Sequence, residues 1–197
     1  MVRAAPYQPA GCRQSHRKGN NVPMDDLKSG PQEIAPEIAL DKLHTILPLT
    51  RANIPTMAHF WWQQIVDAAQ CTGVAVTFYR IARWEAYDSG FIDLTEREIL
   101  SEMFSTVCLP EGDVIFVPDY ATRGLFRRPP VQMPTTVLAD YLDAYPDVVF
   151  QGVNDISFLF PEARQITLMM HEGYYTHLDC STVCEDRIGE GNVRHVR

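Results

Sequence analysis

Long apolar runs are missing from this chain. Its uninterrupted hydrophobic stretches last only a few residues, whereas a membrane-spanning helix needs ~18 or more. The basic residues near the start have no apolar core behind them, so a secretory leader is not expected. Cysteine is sparse: the five in 197 residues, Cys12, Cys71, Cys108, Cys180 and Cys184, are an odd number scattered along the chain. Free thiols and a cytoplasmic setting are the expectation from that usage. Familiar catalytic signatures are lacking as well. No Gly-x-Ser-x-Gly elbow, phosphate-binding glycine loop or dinucleotide fingerprint occurs.

Positive charge is also in short supply, and what there is lies unevenly. The formal net charge is −8. Residues 1–23 carry Arg3, Arg13, Arg17 and Lys18 without an acid, a local +4, so removing them leaves −12 on residues 24–197. A body of that sign repels phosphate backbones and anionic lipid heads, which argues against nucleic-acid and membrane-surface binding. It suits a basic protein partner.

What is present begins with enough apolar material, 46% of residues, to fill one core. Residues 1–33, rich in Pro, Gly, Asn, Gln and Arg, read as a disordered tail. Ile38, Leu40, Leu43, Ile46 and Leu47 then share one face of a helix that stops at Pro48. A second helix is capped by Thr56, carries Met57, Phe60, Trp61, Ile65, Ala68 and Ala69, and ends at Gly73 in the left-handed terminating position. Trp61 and Trp62 are adjacent and cannot face one core together, which makes Trp62 a candidate partner contact.

Residues 74–87 fit either period, and helix is preferred. Asp93 and Glu96 follow as the capping pair of a helix buried through Leu94, Ile99, Met103 and Phe104. The same loop places Gly90, Ile92, Asp93 and Glu96 at the sixth, eighth, ninth and twelfth positions of a calcium loop. That register fails at its third position, where Tyr87 offers no carboxylate.

Asp113 to Pro118 reads as a strand buried on both faces or close to it, followed by an irregular connection with Arg123, Arg127 and Arg128, the one basic patch of the body. Those guanidinium groups could grip a partner's carboxylate or cancel acids of their own chain. Thr135 or Thr136 caps a further helix through Leu138, Tyr141, Leu142 and Tyr145, and Asp147 to Phe150 reads as a strand.

The clearest pattern comes last. Ile156, Phe158 and Phe160 alternate along one strand, Pro161 to Arg164 forms a turn, and Ile166, Leu168 and Met170 resume the period of two. The expected whole is an α+β domain over residues 34–180, its helical N-terminal half packed on a small, mainly antiparallel C-terminal sheet, with residues 181–197 as a flexible tail.

Two functions compete on these residues. The leading expectation is a protein-binding module, an inhibitor or immunity-type protein neutralising a basic partner, with no cofactor. Trp62, Arg123, Arg127, Arg128, Glu172, Tyr174 and Tyr175 are its candidate contacts. The alternative is a zinc enzyme or zinc-stabilised domain centred on the His171/His177 hairpin, with Cys180 and Cys184 as further ligands. Its spacing differs from HExxH, since the second histidine comes six residues after the first. Asp155 or Glu172 could pair with His171, but His171 and Glu172 would point to opposite faces of a strand unless a turn came between them.

Overall fold

The computed structural model describes residues 30–54, 61–82, 94–118, 128–144 and 155–183. Seven strands form one antiparallel sheet: β1 (Gln32–Glu33), β2 (Tyr79–Arg80), β3 (Asp113–Pro118), β4 (Val131–Pro134), β5 (Ile156–Phe160), β6 (Gln165–Met170) and β7 (Tyr174–Asp179). Their spatial order is β1-β4-β3-β5-β6-β7-β2. Among the described residues five α-helices accompany them: α1 (Pro36–Ile46), α2 (Thr50–Asn53), α3 (Trp61–Cys71), α4 (Glu96–Met103) and α5 (Leu138–Asp143), with a short 3-10 turn at Thr135–Val137 leading into α5.

Both faces of the sheet are covered, which explains why its central strands read as nearly continuous apolar runs. Ile115, Val117, Leu159, Ile166, Leu168 and Leu178 pack against α1 and α3. Val114, Phe116, Val131, Met133, Ile156, Phe158, Phe160, Met169 and Tyr175 face α4 and α5. Burial of each large apolar side chain contributes about 1.5–3 kcal/mol. In β5 all five residues are buried, Ser157 and Leu159 included. The alternation of Ile156, Phe158 and Phe160 therefore marks which of two cores each residue enters, not a boundary with solvent.

Local signals account for much of the backbone. At the end of α3, Val74 N–H donates to Ala69 O at 3.0 Å and Gly73 N–H to Gln70 O at 3.1 Å, with Gly73 at φ +80. This is the Schellman pattern, and a side chain at Gly73 would be strained in it. The β5–β6 hairpin closes through Pro161 to Arg164, as the sequence predicts, with Arg164 itself left-handed at φ 51. Helix α4 carries a capping box, but two residues later than expected. Thr95 accepts from Glu98 N at 3.2 Å and its own N–H donates to the Glu98 carboxylate at 2.8 Å. Thr95→Ala is expected to cost ~1 kcal/mol in urea unfolding, with Thr95→Ser nearly neutral; equal losses for both would show that the cap contributes nothing.

Three expectations need correction. The sheet is larger than anticipated and is not confined to the C-terminal half, because its two edge strands, β1 and β2, come from the N-terminal half. Gln32 and Glu33, assigned to a tail, pair with Gln132 and Val131, while Val183, beyond the expected domain end, is buried. The preference for helix over residues 74–87 fails where it can be checked, since Tyr79 and Arg80 pair with Tyr175 and Tyr174 as a strand. A segment whose two periods are balanced takes the conformation its partner strand rewards. The capping residue Thr56, the calcium register over residues 85–93 and the strand at Asp147 to Phe150 lie outside the described residues.

Cysteine chemistry also differs from expectation. Among the described residues Cys71 and Cys180 are free thiols, but Cys108 is disulfide-bonded. A bonded cysteine withdraws the support that cysteine usage lent to a reducing, cytoplasmic compartment. No helix among the described residues is long and apolar enough to cross a membrane.

Candidate functional site

Strands β6 and β7 are joined by His171, Glu172 and Gly173 alone. Gly173 takes φ 82, and its N–H donates to Met170 O at 2.9 Å, closing a three-residue hairpin turn that ends in a left-handed residue. Because His171 and Glu172 lie in the turn, the alternation that would separate their side chains on a strand no longer applies. The Glu172 carboxylate comes back to within 3.2 Å of His171 Nε2.

Asp155 meets the same ring from the other side. It sits just ahead of β5, whose Ile156 pairs with Met169 of β6, so it lies beside the chain as β6 enters the turn. The buried Asp155 Oδ1 accepts from His171 N–H at 3.0 Å and from His171 Nδ1 at 2.9 Å. One atom of each of Asp155, His171 and Glu172 lies within 4.8 Å of the others. A carboxylate out of water is costly unless hydrogen-bonded, and these two bonds offset part of that cost. They also set the imidazole: Nδ1 carries a proton and Nε2 faces the half-exposed rim.

Of the four residues expected to bind zinc, the three described, His171, His177 and Cys180, are not brought together. His177 lies on β7 opposite Thr167 of β6. Its Nε2 donates to Met103 O at 2.8 Å, and its Nδ1 accepts from Thr167 Oγ1 at 2.8 Å. The tautomer follows from the acceptor, since a carbonyl cannot donate. Both ring nitrogens are thus engaged, Nε2 tying β7 to the end of α4 and Nδ1 tying it to β6. Burial pushes the His177 pKa below its ordinary value, with the bond to Met103 opposing. Cys180 belongs to the core on the other side of the sheet, where burial pushes its thiol up to about 12. Cys184 lies outside the described residues.

The expected partner contacts divide similarly. Tyr175 is buried and stacks on Tyr79 with centroids 5.4 Å apart, so it supports the surface without forming it. Trp62, in the first turn of α3, is half-buried against the core, and Arg128 is half-buried. Arg123 and Arg127 lie outside the described residues. Glu172 and Tyr174 are exposed. Phe78 and Tyr79, which sequence reading had placed on a helix, join them: Phe78 is 45% exposed, Tyr79 42% and Tyr174 39%. The signal for them was the alternating Val-Ala-Val-Thr-Phe-Tyr run ending in two aromatics. Across the β2–β7 pair the Arg80 guanidinium lies 5.6 Å from the centre of the Tyr174 ring.

Comparison with models of known protein families, with curated proteins and with solved structures gives no match to this chain.

Proposed function

We propose that this domain binds a basic protein through the β2 end of its sheet, in the manner of an inhibitor or immunity-type protein. The exposure of Phe78, Tyr79 and Tyr174 along that edge, Tyr79 on one face of the sheet and Tyr174 on the other, carries the reading. Tyrosine and phenylalanine supply large contact area at low entropic cost, and they are enriched where partners dock. The Tyr174 ring already accepts one guanidinium, that of Arg80, and aromatic faces attract cations generally. Glu172 stands beside them, and the net charge of −8 steers a basic partner toward the surface. The same charge disfavours nucleic acid and anionic membrane as ligands.

The test captures proteins from a lysate of the source cell on the immobilised full chain, then measures the affinity of those retained. Basic proteins are expected, and their affinity is expected to fall steeply between ~50 and ~500 mM salt as the attraction is screened. Tyr79→Ala and Tyr174→Ala should each weaken binding by ~1–2 kcal/mol. Affinity that ignores salt would remove the steering argument. Affinity that ignores both tyrosines would place the contact elsewhere.

A further inference from the structure

The Asp155, His171 and Glu172 group offers more than an ion pair. Asp155 holds a proton on His171 Nδ1, so in the neutral ring the other nitrogen presents its lone pair toward the rim, where the Glu172 carboxylate lies 3.2 Å away. Two lone-pair donors aimed at each other repel unless a positive centre lies between them. A proton meets that need, and so does a metal ion. Metal-binding histidines almost always give their second N–H to a carboxylate, which fixes the tautomer and raises the basicity of the ligating nitrogen. Asp155 does this for His171 from a buried position, with a second bond to the backbone N–H of the same residue. The donor set, one imidazole nitrogen and one carboxylate oxygen, suits borderline ions such as zinc better than calcium or magnesium, which seek oxygen alone.

We infer that His171 Nε2 and Glu172 form a binding site for a divalent late transition-metal ion, with Asp155 as the residue that positions the imidazole. Its remaining coordination positions are open on the solvent side, to water or to a group on another molecule. This inference goes beyond the partner reading and stands or falls separately, since neither exposed tyrosine takes part in it.

Zinc titration of the full chain, followed through the imidazole resonances of each histidine, tests the assignment. His171 is expected to shift and His177, with both nitrogens engaged, to stay. Glu172→Gln, at an exposed position, is expected to weaken binding at His171 by about tenfold or more, and Asp155→Asn by ~10–100-fold. Asp155→Asn should also change the His171 tautomer seen in its ring nitrogen shifts, which a loss of packing alone would not do. Lowering the pH should release the metal, because protons compete for both ligands. Zinc in excess that leaves the His171 resonances unmoved, or equal affinity in Glu172→Gln and the parent chain, would overturn the site. Zinc held only by other residues of the chain would overturn it as well.

Discussion

Replacing His177 with alanine is expected to cost ~3 kcal/mol of unfolding free energy near neutral pH. The loss has three sources. Met103 O, at the end of α4, loses the Nε2–H that reaches it at 2.8 Å, and the Thr167 hydroxyl loses its acceptor at 2.8 Å. A void also opens beside Phe104 and Tyr175, whose rings lie 5.0 and 5.4 Å from the imidazole centre. The substitution should change the pH profile too. Burial lowers the folded pKa of His177, so as the pH falls the unfolded chain takes up this proton first. The stability tied to the neutral ring is therefore complete above the unfolded value of ~6.5 and is lost as the pH drops through the lower folded value. Urea unfolding of both proteins at about pH 7.5 and about pH 5 measures this. The gap between them should narrow in acid. A gap of constant size would show that the ring is not held neutral by the fold.

Thr176→Val is expected to act in the opposite direction and stabilise the protein by ~1–2 kcal/mol, raising the melting temperature by a few degrees. Thr176 is fully buried on the sheet face covered by α1 and α3, and its hydroxyl has no hydrogen-bond partner. Ser157, across Leu168 from it in the sheet, is in the same position. An unpaired buried hydroxyl pays its desolvation cost without return, and valine keeps the volume while removing the oxygen. Thr50 supplies the control. It is equally buried, but its hydroxyl donates to Leu47 O at 2.6 Å, so Thr50→Val should lose ~1 kcal/mol. Calorimetric melting of the two variants should move in opposite directions. A destabilised Thr176→Val would mean that the hydroxyl has a partner in solution.

The candidate site was only partly legible in the sequence. His171, Asp155 and Glu172 stood out as titratable groups near a hairpin, and a turn between His171 and Glu172 was the stated condition for their meeting. Gly173 meets it by adopting φ 82. The proposed zinc ligands were grouped by closeness in sequence, which is a poor guide across a sheet: His177 faces the core beneath α4, while Cys180 enters the other one. Which aromatic side chains are exposed is hard to read from the sequence for a related reason. Tyr175 and Tyr174 are neighbours in the chain, yet one is buried under Tyr79 and the other meets Arg80 on the opposite face.

By itself the amino-acid order determined the elements whose cause is local: the extent of β3 from Asp113 to Pro118, the turn at Pro161 to Arg164, and the glycine stop after α3. Side-chain sterics, proline and glycine backbone limits, and periodicity act over a handful of residues, so the sequence displays them directly. Tertiary structure alone decided that strands beyond β3 are buried on both faces as well, that Tyr79 and Arg80 are a strand, and which polar atoms share a site. Those outcomes depend on contacts between distant positions, 16 residues apart for Asp155 and His171 and 74 for Met103 and His177. Nothing in the local pattern encodes which strand lies beside which, and strand order is what places these atoms within hydrogen-bonding reach.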